Sequence, residues 1–451
     1  MKLNNSDITL LCKVVDNYGD IGVVFRLAKA LSALLPDGGA GLRLIVDNLE
    51  AFAQLSPGVD VKKPIQKHCG WTVCQWDAAD EGRKMYAETP PLVILECFAC
   101  GRPEWLDDIL FDKSLQALRQ KPVQIINLEY LTAEPYADEF HKLQSLTRSA
   151  QVRKVNFMPG FTDKTGGLIL NDEVPVLRDI AGESRKPSNA GETGATRNGA
   201  SKPSSVANAG KTGAAGNGAP KPSSIPGDSA HADEPFTFFI FSYERDFSTI
   251  ADALATFATN RDTRILVATG KADAPFSAAW KMCADRAHSS CTQNENPTGN
   301  AALPEPEKLP FLPQDAWDKM LYSADFLFIR GEDSLSRACL SGKPFVWHAY
   351  PQSEMYHLVK VQALLDRMEP FFSAKNFRLI RDYWLWYNGA QAQNASGTPN
   401  SPNSAYDSRA ALLEILSHYD EIRESFLAFS KNLIKNGNLA EHLMTFIDEI
   451  V

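Results

Sequence analysis

"CKVVDNYGDIGVVFRLAKAL", residues 12–31, leaves an apolar run, crosses a loop holding two aspartates and two glycines, and enters a helix. The run begins upstream in "ITLLC" (8–12), short and apolar as a buried parallel strand is. Beyond Asp20, residues Ile21, Val24, Phe25, Ala28, Leu31 and Leu35 recur at helical spacing, and Pro36 marks the stop. A strand, a loop and a helix in this order form the opening unit of an open α/β sheet, whose ligands gather at the strand-to-helix turn. Asp16 and Asp20 stand at that turn. Asp at such a place serves either as a turn and cap residue or as a chemical group. Gly19 and Gly22 permit close backbone approach to a ligand.

The same theme repeats outward. "GLRLIVDN" (41–48), "PLVILEC" (91–97) and "VQIINLEYL" (123–131) are further strand candidates separated by helical stretches, and "FTFFIFSY" (236–243), "TRILVATG" (263–270), "ADFLFIR" (324–330) and "KPFVWH" (343–348) continue it downstream. Between the two groups, residues 183–234 repeat a KPS, NAG, TGA theme nearly devoid of large apolar side chains. Such a segment buries too little surface to offset its ordering entropy and is read as a flexible linker. The predicted organisation is therefore an N-terminal Rossmann-like domain over 1–182, the linker, and a C-terminal Rossmann-like domain over 235–451 that ends in a largely helical region. Two such domains face one another across a cleft into which both sheets open.

Composition sets the bounds. The chain has 451 residues, 44% of them hydrophobic, enough for two or three domains with substantial cores. Its formal charge of −9, from 46 basic and 55 acidic residues, offers no general attraction to nucleic acid. No stretch approaches the roughly 20 apolar residues of a spanning helix, and "MKLNNSD" lacks a signal-peptide pattern, so a cytoplasmic protein without a membrane partner is expected. Eight cysteines without a spacing framework fit free thiols in a reducing compartment. Cys69, Cys74, Cys97 and Cys100 could be imagined as zinc ligands, but Cys97 ends an apolar run, where cysteine is commonly a small buried residue.

The richest sheet edge downstream is "FLFIRGEDSLSRACLSGKPFVWHAYPQ" (326–352), a strand, a turn over Arg330–Ser334 and a short helix stopped by Gly342. The free N–H groups and positive dipole end of that helix, with Arg330, suit a diphosphate, and Glu332 beside them could accept ribose hydroxyls or orient reacting groups. Taken singly, Asp333 or Ser334 is an ordinary N-cap residue. Phe241, Tyr243 and Trp317 could sandwich a base, with Gln314 hydrogen-bonding it.

The stretches "VVDNYGDIGVVFRLAKAL" (14–31), "NLEYL" (127–131), "PFLPQ" (310–314) and "RGEDSLSRACLSGKPFVWHAYPQ" (330–352) resemble the EarP family, the protein-arginine rhamnosyltransferases that modify bacterial translation elongation factor P. The resemblance spans nearly the whole chain outside the low-complexity segment, which is its main departure. It implies a GT-B glycosyltransferase fold, no cofactor and no required metal, the donor TDP-β-L-rhamnose, and one arginine of elongation factor P as acceptor, glycosylated with inversion. It further implies that Asp16, Asp20 and Glu332 are the essential acids. Phe241, Tyr243, Gln314 and Trp317, the last replacing a phenylalanine, then serve the base, and Arg330, Asp333 and Ser334 the diphosphate. Asn17, Tyr18, Gly19 and Gly331 complete the donor site.

This gives the two N-terminal aspartates a chemical reason. A guanidinium has no free lone pair at neutral pH. Asp16 is expected to pair with its N–H groups and Asp20 to take a proton as the carbon–nitrogen bond forms. Prior deprotonation is excluded, since a gap of roughly eight pKa units corresponds to about 11 kcal/mol. Two other readings remain at this stage: a GT-B enzyme with another sugar nucleotide and a lipid or small-molecule acceptor, and a dinucleotide-binding regulatory protein. The second expects G-x-G-x-x-G after the first strand, where the chain has only Gly19 and Gly22.

Overall fold

The strand ahead of the aspartate loop forms over Ile8–Cys12 (β1), every residue buried, and the first helix follows over Gly19–Leu34. In the computed structural model, residues 8–14, 18–36, 38–88, 91–171, 174, 234–291, 303–389 and 406–451 are described. Val15, Asp16 and Asn17 lie outside them, as does the low-complexity segment apart from its last residue.

The first sheet has eight strands among the described residues. After β1 come β2 (Arg43–Val46), β3 (Ile65–His68), β4 (Trp71–Gln75), β5 (Val93–Cys97), β6 (Val123–Leu128), β7 (Gln144–Ser145) and β8 (Val152–Phe157). Their order across the sheet is β3-β4-β2-β1-β5-β6-β8-β7, parallel except for the two edge strands β3 and β7. The chain reverses direction across the sheet between β1 and β5, so the loop after β1 lies at the switch point. Strands β3, β4, β7 and β8 were not anticipated. In "VRKVNF" only Val152, Val155 and Phe157 are buried while Arg153 is exposed, so its pattern lacks the continuous apolar run of the central strands.

The second sheet, β9 (Phe236–Ile240), β10 (Thr263–Ala268), β11 (Glu307–Leu309), β12 (Phe326–Arg330) and β13 (Phe345–His348), is all parallel in the order β11-β10-β9-β12-β13. Here β9 and β12 flank the switch point. The two sheets have separate hydrophobic cores, the first containing Leu10, Leu44 and Leu95 and the second Phe238, Leu266 and Phe328. This is the α/β GT-B arrangement, two Rossmann-like units facing across a cleft.

The last helix, Leu439–Ile450, belongs to the first core rather than the second. Leu439, Leu443, Phe446 and Ile447 pack with the β1 and first-helix residues, and the Leu439 amide donates to the Leu168 carbonyl at 2.9 Å. The grouping of all of 235–451 as one C-terminal unit is corrected to that extent. Its apolar stripe specified burial, and the free surface of the first sheet supplied the partner.

Candidate active site

Between the sheets lies a cavity of about 230 Å3. From the first domain it is lined by Tyr18, Gly19 and Gly22, where the first helix begins. From the second it is lined by Phe241, Tyr243, Gln314, Trp317, Arg330, Gly331, Glu332, Asp333 and Ser334. Every described residue anticipated for the donor site is therefore brought to one place. Leu55, Ala268, Thr269, Gly270, Pro310, Phe311 and Leu312 complete the wall. Of these, Pro310, Phe311 and Leu312 lie in the "PFLPQ" stretch, and the fold identifies the rest as wall residues.

The edge expected to meet a diphosphate is built by β12 and the helix Glu332–Ser341. Gly331 takes φ +75°, a turn that favours glycine, and Glu332 is already the first helical residue. Glu332, Asp333 and Ser334 therefore form the first turn, whose amide groups have no partner inside the helix, rather than a loop before it. Gly342 closes this helix in the left-handed conformation, as its place before β13 suggested. The Arg330 guanidinium lies over one face of Phe241 (4.6 Å) and of Tyr243 (4.7 Å), and its buried Nε has no hydrogen-bond partner among the described residues.

Phe241 and Tyr243 thus each turn one face to the arginine, and Trp317 meets Phe241 edge-on, 4.6 Å between centroids at 76°, so the three rings expected to serve the base form a corner. Gln314 is 4% exposed at the start of helix Gln314–Ser323. Its Nε2 donates to the Gly22 carbonyl across the cleft at 2.7 Å, and its buried Oε1 has no partner among the described residues. The Asp333 carboxylate is also engaged across the cleft, by Arg26. Burial acts to raise the Asp333 pKa, but the charge and hydrogen bonds of Arg26 outweigh it and hold the carboxyl below its usual range.

Asp20 sits in the first turn of the first helix, where the dipole favours a carboxylate, while the N-cap position is taken by Tyr18 without a side-chain cap. Asp20 is 3% exposed and does not line the cavity. Tyr130 follows β6 and stacks on Phe98, with centroids 4.5 Å apart at 17°. Burial, and then the charges of Asp20 and Glu332, push the Tyr130 pKa up, so the phenol keeps its proton within the field of one acid from each domain. Sequence reasoning missed it, although "NLEYL" contained it. Arg26 and Asp318 were missed as well. Asp16 and Asn17 lie outside the described residues.

Among the described residues no group of three or more His, Cys, Asp or Glu side chains is arranged to hold a metal ion. Burial pushes the Cys97 thiol well up and that of Cys100 to about 12, which suits inert packing residues. No helix among the described residues is long and apolar enough to cross a membrane.

A family model described as "Elongation-Factor P (EF-P) rhamnosyltransferase EarP" matches residues 8–448. A protein-arginine rhamnosyltransferase of Pseudomonas putida is 33% identical over 357 residues, covering 79% of this chain and 80% of that protein. One from Shewanella oneidensis is 30% identical over 396 residues, covering 86% and 87%. A solved structure described as the structural basis for EarP-mediated arginine glycosylation of translation elongation factor EF-P is similar with a TM-score of 0.46 and 20% identity, covering 98% of this chain and 99% of that one.

Proposed function

The chain belongs to the EarP family and is a protein-arginine rhamnosyltransferase, and from that premise we propose that it moves L-rhamnose from TDP-β-L-rhamnose to one arginine of elongation factor P, with inversion, in the cytoplasm. The observation that carries the reading is the convergence on one cavity of the start of the first helix, at Tyr18, Gly19 and Gly22, with Arg330, Gly331, Glu332, Asp333 and Ser334 of the second domain. Both domains thus contribute to a cavity suited to a nucleotide diphosphate.

In this reading the first turn of helix Glu332–Ser341 and Arg330 receive the diphosphate. Gln314 Oε1 accepts the N3–H of thymine, and Trp317 supplies a flat apolar surface. An arginine nitrogen of the acceptor attacks the anomeric carbon from the face opposite the diphosphate. The new carbon–nitrogen bond forms as the bond to the diphosphate oxygen breaks, TDP leaves, and the displaced N–H proton passes to Asp20. Asp16 pairs with the remaining guanidinium N–H groups. Glu332 orients the sugar. Charge on the departing TDP is stabilised by the helix amides and Arg330, which act without a divalent ion.

The test is direct: the purified chain, TDP-rhamnose and elongation factor P are mixed, and the acceptor is weighed intact. One added deoxyhexose that disappears when the acceptor arginine is replaced is expected. An unmodified acceptor, or equal transfer from a different sugar nucleotide, overturns the proposal.

A further inference from the structure

The first helix carries Asp20 in its first turn and Arg26 six residues further on, about 9 Å along the axis. Arg26 is 2% exposed. Its Nε and Nη2 donate to the two oxygens of Asp333, both at 2.9 Å, while Nη1 and Nη2 donate to the two oxygens of Asp318 at 2.5 and 3.0 Å. Both carboxylates belong to the second domain, and the side chain of Asp318 is 0% exposed. One planar fork therefore satisfies two acids at once, which the point charge of lysine does not.

Asp333 lines the donor cavity in the same helical turn as Glu332 and Ser334. A bare carboxylate there would repel a diphosphate only a few ångströms away in a poorly solvated wall. We infer that Arg26 is a positioning residue for the donor: it offsets the charge of Asp333 beside the diphosphate seat, and it ties the helix that bears Asp20 to the helix that begins at Glu332. The inference rests on the cavity being the nucleotide-sugar site. Joining the domains does not by itself require Arg26. Arg337 reaches the Ile169 carbonyl, Tyr356 donates to Glu134 at 2.8 Å, and the last helix of the chain packs in the first core.

The test uses the full chain, with TDP titrated calorimetrically and steady-state kinetics run with TDP-rhamnose and elongation factor P. Arg26→Lys is expected to weaken TDP at least tenfold and to raise the donor KM by a similar factor, with the KM for elongation factor P within twofold. Adding Asp333→Asn to that variant should restore TDP affinity at least threefold, because the repelling charge is gone. A merely structural Arg26 would lower the melting temperature and the active fraction without moving the donor KM, and no rescue would follow. TDP affinity within twofold of the unsubstituted chain in Arg26→Lys, or absence of rescue, overturns the inference. Should Arg26→Lys not fold, Arg26→Gln with Asp318→Asn removes one charge of each sign and is read by the same tenfold and twofold limits. Failure of the unsubstituted chain to bind TDP is a separate outcome, which overturns the donor reading and this inference together.

Discussion

The Tyr130 phenol, just beyond β6, stacks on Phe98 with centroids 4.5 Å apart, and burial, then the charge of Asp20, help it keep its proton. A protonated phenol so placed is able to donate to the carboxylate during transfer, and a hydrogen bond to a charged group contributes about 1.5–3 kcal/mol. Tyr130→Phe is therefore expected to lower kcat about 10- to 100-fold while TDP affinity stays within twofold. Asp20→Asn, which removes the proton acceptor itself, is expected to lower kcat by about 100-fold or more, again with TDP binding preserved. Calorimetry and single-turnover transfer separate the two effects, and appreciable turnover by Asp20→Asn would remove it as the base.

In the proposed donor site Gln314 distinguishes pyrimidines. With Nε2 fixed on the Gly22 carbonyl, Oε1 is left to accept a hydrogen bond. Thymine and uracil offer N3–H there, whereas cytosine presents a lone pair and leaves the buried oxygen unmatched. TDP is expected to bind about 10- to 100-fold tighter than CDP, from a penalty of about 1–3 kcal/mol. In Gln314→Met the preference should shrink toward unity. Equal affinities for TDP and CDP in the unsubstituted chain would refute the assignment.

The proposed diphosphate seat is a helix end plus an arginine, two features that stabilise an anion. Chelation is accordingly expected to leave transfer intact: rates in excess EDTA should match those with added magnesium within twofold. Activity lost to EDTA and restored by magnesium would be the contrary result.

His348, 6% exposed, supports the wall through Ser242, whose hydroxyl lies 2.8 Å from its Nδ1, and through edge contact with Tyr243 at 5.2 Å. Burial, and then nearby Arg245, lower its pKa to about 3. The unfolded imidazole takes a proton at about 6.5 while the folded one resists to about 3, so the unfolded state binds more protons in between. Stability is thus complete above pH 6.5 and falls as the pH is lowered, by up to about 1.4 kcal/mol per unit from this group. Urea unfolding at pH 7, 6 and 5 should show a shallower decline in His348→Asn than in the unsubstituted chain. Burial of His141, whose pKa falls to about 4, is common to both and cancels in the comparison.

Legibility differed from residue to residue. The strands around Leu10, Leu95 and Phe328 were plain because both faces of a central parallel strand are buried and the sequence there is continuously apolar. Gly331 and Gly342 announced the turns on either side of the Glu332 helix. Arg26 gave no such signal. On an amphipathic helix an arginine reads as the solvated face, yet this one is buried, because that face meets the second domain.

By itself the sequence determined two open α/β units, the strand-to-helix junctions beside Asp20 and Glu332, and residue chemistry suited to an anion. Each depends on interactions between neighbours a few positions apart, which periodicity and residue type record. Only the tertiary structure decided that Tyr130 comes within the field of Asp20 and Glu332, that Arg26 clamps Asp318 and Asp333, that Arg330 lies over one face of Phe241 and of Tyr243, and that the last helix returns to the first sheet. Those pairings join surfaces distant along the chain, and which surfaces meet is set by the packing of whole domains rather than by any local pattern.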